Sequence, residues 1–152
     1  MEKLILGFGN DILADDGIGL YLARDIGEKL GIDWVHCSIY GFEIIEKMAG
    51  YSTIFIIDSV VEPDDPPGKI YSYALDDFKN CRHLSSPHTT NFSAGIEFAR
   101  RSGLPVPADF FIYGVNVIET SRFSENLSLK LQRLYPEAKE KLQDKIKQII
   151  RD

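Results

Sequence analysis

Ile5-Leu6-Gly7-Phe8-Gly9-Asn10-Asp11-Ile12-Leu13-Ala14-Asp15-Asp16-Gly17-Ile18-Gly19-Leu20 runs an apolar strand into a glycine turn and delivers two acidic residues to the start of a helix. Carboxylates are favoured there, because the unpaired N–H groups and the macrodipole make a helix N-terminus positive. Asp15 is expected to cap the helix, which leaves Asp16 in the first turn, held in place and able to reach a ligand beyond the carboxyl end of the strand. A dinucleotide fingerprint would need glycine where Ile12 stands, and two aspartates repel phosphate. No G-x-x-x-x-G-K-[ST] phosphate loop follows, so acid at this turn points to a cation.

Outward from this stretch, short apolar runs alternate with amphipathic segments. Residues 3–8 and 53–58 are nearly continuous β-rich runs, as in strands buried on both faces. Between them Ile18, Leu22, Ile26 and Leu30 form one helical stripe over 16–30, and Asp33 to Ile39 reads as a second strand. A short helix over 42–49, a strand over 69–75, a helix over 90–102 and a strand over 109–115 follow. In the tail, Leu127, Leu131 and Leu134 precede Pro136, and Leu142, Ile146 and Ile149 follow it. Proline suits a first helical turn and spoils a helix interior, so one kinked or two consecutive helices are expected. The alternation implies a single 1–152 domain, a three-layer α/β/α sandwich around a mostly parallel, twisted sheet of about five strands.

The 152 residues are enough to bury one core, and no apolar run approaches the ~20 residues of a membrane helix. The amino terminus shows no export signal, so the expected location is cytoplasmic. A net charge of −6 with dispersed acids argues against nucleic acid and acidic membranes as partners. Cys37 and Cys81 have no C-x-x-C spacing and read as structural thiols.

Asp58 closes the run Ile54-Phe55-Ile56-Ile57, so a second strand delivers a carboxylate at its carboxyl end, the edge where open α/β sheets bind ligands. His88, in Ser86-Pro87-His88-Thr89-Thr90, is a loop histidine restrained by proline just before a helix, a setting that His36 and His83 lack. Asp16, Asp58 and His88 together make a two-carboxylate, one-imidazole set that suits nickel, zinc or manganese with coordination positions left open. No G-x-S-x-G elbow offers a competing nucleophile.

Gly7-Phe8-Gly9-Asn10, Asp15-Asp16-Gly17-Ile18-Gly19, Ile57-Asp58 and Ser86-Pro87-His88 resemble the [NiFe]-hydrogenase maturation endopeptidases, in order and essentially end to end. The resemblance implies a phosphorylase/hydrolase-like fold and a cytoplasmic, monomeric endopeptidase of aspartic type. Its partner would be the hydrogenase large-subunit precursor, from which it removes a carboxy-terminal extension after nickel insertion. It further implies that Asp16, Asp58 and His88 are the catalytic and nickel-binding residues, with the metal arriving inside the precursor, and that Asn10, Gly41 and Asn116 border the substrate cleft.

Two segments depart from the family pattern. Ser38-Ile39-Tyr40-Gly41 stands where a Gly-Gly-Thr-like turn is usual, and Gly114-Val115-Asn116-Val117 lacks the proline of a Gly-Ile-x-Pro-like stretch. A different class of function, a non-catalytic nickel carrier using the same three residues, fits the ligand set as well. The acidic, proline-rich loop Glu62 to Gly68 is expected to overhang the cleft, with Asp64 and Asp65 steering a basic precursor segment.

Overall fold

The computed structural model describes residues 2–37, 42–77 and 89–151. Its sheet is built from β1 (Lys3–Phe8), β2 (Asp33–Cys37), β3 (Thr53–Val60), β4 (Ile70–Tyr73) and β5 (Asp109–Asn116), in the order β2-β1-β3-β5-β4. All neighbours pair parallel except β4, which runs antiparallel along β5 at the edge. The two apolar runs are the central strands, and every side chain of β3 is buried. The helices are α1 (Ile18–Leu30), α2 (Phe42–Lys47), α3 (Thr89–Arg101) and α4 (Leu129–Arg151).

Alternation along the strands sorts the core into two layers. Ile5, Phe55, Ile57 and Val115 meet α1 and α4 through Ile18, Leu22, Leu131 and Leu142. Leu4, Leu6, Phe8, Ile54, Ile56 and Val60 meet α2 and α3 through Ile44, Phe92 and Ile96. β2 lies on one side of β1 and β3 on the other, so the carboxyl ends of β1 and β3 form a topological switch point, where such sheets open a crevice.

The glycines that opened the sequence are packing devices. A Cβ on Gly7 would lie 2.6 Å from the Gly19 carbonyl oxygen, and one on Gly19 would lie 2.4 Å and 2.5 Å from those of Phe8 and Ile57. They let the start of α1 rest directly on the backbone of β1 and β3, at the position where a dinucleotide fold would place phosphate.

Pro136 lies inside one continuous α4, on its exposed side, so there is no helix break. The ring faces water while Leu131, Ala138, Leu142 and Ile146 carry the apolar face past it, and packing of that face outweighs the lost N–H bond. Among the described residues no helix is long and apolar enough to cross a membrane.

Candidate functional site

Gly9 leaves β1 at φ 145°, where a Cβ would stand 2.0 Å from the Asp16 carbonyl oxygen. The next residues therefore fold back over the strand end. Leu13 N–H bonds the Asn10 carbonyl at 3.2 Å, the Asn10 side-chain oxygen accepts from Ile12 N–H at 3.1 Å, and a 3-10 turn follows over Ala14–Gly17. Half-buried Asp16 is oriented at both oxygens. Oδ2 accepts the Asn10 N–H at 2.9 Å, and Oδ1 accepts the Ser59 hydroxyl at 3.1 Å.

Asp15 does not cap α1. The residues before the 3-10 turn and before α1 are Leu13 and Gly17, neither with a side-chain cap bond. Asp15 is fully buried and accepts the N–H groups of Ile118 (3.3 Å), Glu119 (3.0 Å) and Ser128 (2.6 Å) and the Ser128 hydroxyl (2.9 Å). Donors from a segment more than a hundred positions away displace the local cap.

Asp58 is not the last residue of its strand. β3 continues to Val60 because Asp58, Ser59 and Val60 pair with Gly114, Val115 and Asn116 of β5. By alternation the Asp58 carboxyl lies on the α2/α3 face with Ile56 and Val60, and Ser59 lies on the other face, where it meets Asp16. Asp58 Oδ1 accepts the Ser59 N–H at 2.8 Å, and the fully buried Oδ2 has no hydrogen-bond partner among the described residues. Burial pushes the Asp58 carboxyl up to about 7; the Ser59 N–H opposes this and the Asp16 charge adds to it. The Asp16 charge thus reaches Asp58, as the smallest of these three influences.

His88 and Gly41 lie outside the described residues, as do Ser38, Ile39, Tyr40, Cys81 and His83. Among the described residues no group of three His, Cys, Asp or Glu side chains is placed to hold a metal ion. The structure does place α3, which begins at Thr89: the Phe92 ring meets Phe8, the last residue of β1, edge to face at 5.8 Å. Cys37 is a buried thiol with its pKa pushed up to about 11 by desolvation, a structural residue, and His36 is an exposed member of β2.

Asn116, expected to border the cleft, serves as an anchor for the 62–68 loop. It is buried, its oxygen accepts the Glu62 N–H at 2.8 Å, and its NH2 donates to the carbonyls of Glu62, Asp65 and Pro66. This amide fastens the 62–68 loop and has no N–H left for a substrate. The loop in turn leans on α4: Gly68 faces Leu134, and a groove of about 660 Å³ between Pro66–Ile70 and α4 is lined by Lys69, Lys141 and Lys145 but not by Asp16 or Asp58. Asp65 binds Lys69 and the Tyr71 hydroxyl. Sequence reasoning missed Ser59, the loop-fastening role of Asn116 and the true partners of Asp15; only Ser59, next to a strand aspartate, left a local signal.

Residues 37–151 match the family model HycI, hydrogenase maturation protease. The chain belongs to the hydrogenase maturation proteases. Solved structures with the same fold include the hydrogenase maturating endopeptidase HybD from E. coli, 20% identical with a TM-score of 0.75 over 93% of this chain and 90% of that one. The [NiFe] hydrogenase maturation protease HybD from Thermococcus kodakarensis is 24% identical, with a TM-score of 0.76 over 95% and 98% of the two chains. HycI from the same archaeon is 20% identical, with a TM-score of 0.68 over 99% and 93%. No curated protein sequence matches the chain.

In this protease the missing proline has a structural counterpart. Val117 N–H, which proline could not supply, donates to the Val60 carbonyl at 2.9 Å and carries the β3–β5 pairing beyond the site. Gly114 is retained for space: a Cβ there would stand 2.6 Å from Val60 Cγ1 and 3.0 Å from the Tyr73 ring.

Proposed function

We propose that this protease removes the carboxy-terminal extension of a [NiFe]-hydrogenase large-subunit precursor once nickel is in place, and that Asp16, Asp58 and His88 engage the inserted metal. The observation that carries the reading is Asp58 Oδ2, a fully buried carboxyl oxygen without a partner among the described residues. An orphaned buried oxygen costs free energy unless a proton or a cation satisfies it, and a second carboxylate coupled to it raises that demand. A divalent cation answers both acids together, and two oxygens with an imidazole suit nickel with positions left open.

The placement of α3 supports the third ligand. Phe92 packs on the end of β1, so the first turn of α3 lies near that strand end, and His88 immediately precedes α3 in sequence. Nickel is here part of the substrate, brought by the precursor, and the metal-reading residues make cleavage conditional on its insertion. Membership among proteases favours this reading over a nickel carrier. Action as a monomer in the cytoplasm belongs to the same proposal.

The test is to incubate the purified chain with nickel-loaded and nickel-free precursor and to follow loss of a carboxy-terminal peptide by mass spectrometry. Only the loaded precursor is expected to be shortened. Asp16→Ala, Asp58→Ala and His88→Ala should each abolish the shortening, and wild-type rates in all three would overturn the site assignment.

A further inference from the structure

Several large apolar side chains left in water lie where two segments meet beside Asp16: Ile12, Ile118, Leu129 at 73% exposure and Phe123 at 81%. The segments are tied together at the backbone. Ser124 N–H donates to the Ile12 carbonyl at 3.0 Å, Ala14 N–H to the Ser124 carbonyl at 2.9 Å, and Asp15 N–H to the Glu119 carbonyl at 2.8 Å. The 117–128 segment is also braced internally, since Glu119 Oε1 accepts from Ser121 and Arg122 N–H and Ser124 Oγ from Asn126 N–H. An aromatic ring on a loose tip needs no account, but one presented to water by an anchored backbone is a preorganised contact.

This rim is continuous with the site. Ile12 N–H is held by Asn10 Oδ1, and Asn10 N–H holds Asp16 Oδ2, so one turn carries both an exposed apolar side chain and the proposed ligand. The charges that residues 10–16 and 117–128 present to water beside the site are Asp11, Glu119 and Glu125 against Arg122 alone. The complement of such a surface is an apolar segment with a basic flank.

We propose that this rim is the docking surface for the precursor polypeptide: an apolar, basic-flanked segment adjoining the extension seats on Phe123 and Ile118 and so brings the metal to Asp16. The inference rests on the function proposed above. Because Phe123 is not among the proposed metal-binding residues, its loss is expected to weaken association and leave the chemical step intact. That separates docking from catalysis.

The experiment measures KM and kcat for shortening of nickel-loaded precursor by wild type, Phe123→Ser and Leu104→Ser, with sedimentation of each. Leu104 is an exposed apolar residue beyond α3, away from the rim, and serves as the control. Phe123→Ser should raise KM about tenfold or more, as for an aromatic anchor, with kcat within about twofold and Leu104→Ser unchanged. An unchanged KM in Phe123→Ser overturns the docking surface. So does a wild-type dimer that Phe123→Ser dissolves, which would assign the face to a second copy of the chain. A wild type that neither binds nor shortens the precursor removes the parent reading and this one together, whereas a KM unaltered by Phe123→Ser in an active enzyme removes only this one.

Discussion

Asp58 is a carboxyl group kept out of water inside a parallel sheet, and its ionisation is linked to the stability of the fold. An unfolded aspartate ionises near ~4, and burial moves the folded one to about 7. Between those values the folded chain holds a proton that the unfolded chain has released, so stability falls as pH rises through this window and stays lost above it. Urea denaturation of the metal-free chain in chelator should show that decline between about pH 4 and pH 7. Asp58→Asn, neutral throughout, should flatten it and exceed wild type at alkaline pH by on the order of 2–4 kcal/mol, while cleaving nothing. A pH profile identical to that of wild type would place the titrating proton elsewhere. The position of Asp58 toward the carboxyl end of β3 is readable from its apolar run. Its place inside the strand is not, because Ser59 and Val60 remain in the sheet through β5, a partner that lies beyond two further elements in sequence.

Elements are held at fixed separations by what they lack as much as by what they bury. The start of α1 touches β1 and β3 through Gly19, where a methyl group would meet two backbone oxygens at 2.4 Å and 2.5 Å, neither of which can rotate away. Alanine favours a helix over glycine by ~1 kcal/mol, yet the clash can be relieved only by lifting α1 from the sheet. Gly19→Ala is therefore expected to lower stability by roughly 2 kcal/mol or more in chemical denaturation, against the helix-propensity trend. A gain in stability would show that α1 has room to move. The same element level separates what the sequence made legible from what it hid. β1 and β3 announce themselves by uninterrupted apolar runs, and α1 by a stripe that one face of a helix must bury. At Pro136 a local rule gives a kink or a division into two helices, and that rule cannot see that Leu131 and Ala138 continue a single buried face on either side of it.

Across the whole molecule, Asp15 joins the turn after the first strand to a segment that precedes the last helix, with Ser128 lying 113 positions away in sequence. No pattern near residue 15 could reveal this, since the local rule for an aspartate ahead of a helix is capping and the donors that claim it arrive only when the chain has closed. The carboxylate is the acceptor for three backbone N–H groups and a hydroxyl, all aimed at its two oxygens. An amide of the same shape must turn an NH2 toward some of those donors, whichever way it is flipped. Asp15→Asn should therefore cost about 3 kcal/mol or more, through lost charge-assisted bonds and donors left unpaired in a dry site. The location of the loss is the sharper test. Amides of Ile118, Glu119 and Ser128 should exchange with solvent faster than in wild type, while those of β1 and β3 keep their relative protection, because the sheet does not depend on the knot. Uniform acceleration across all strands would instead mean that Asp15 supports the global fold. Protection of 118–128 retained at the wild-type level would mean that the rim is held by its own internal bonds and owes nothing to this carboxylate.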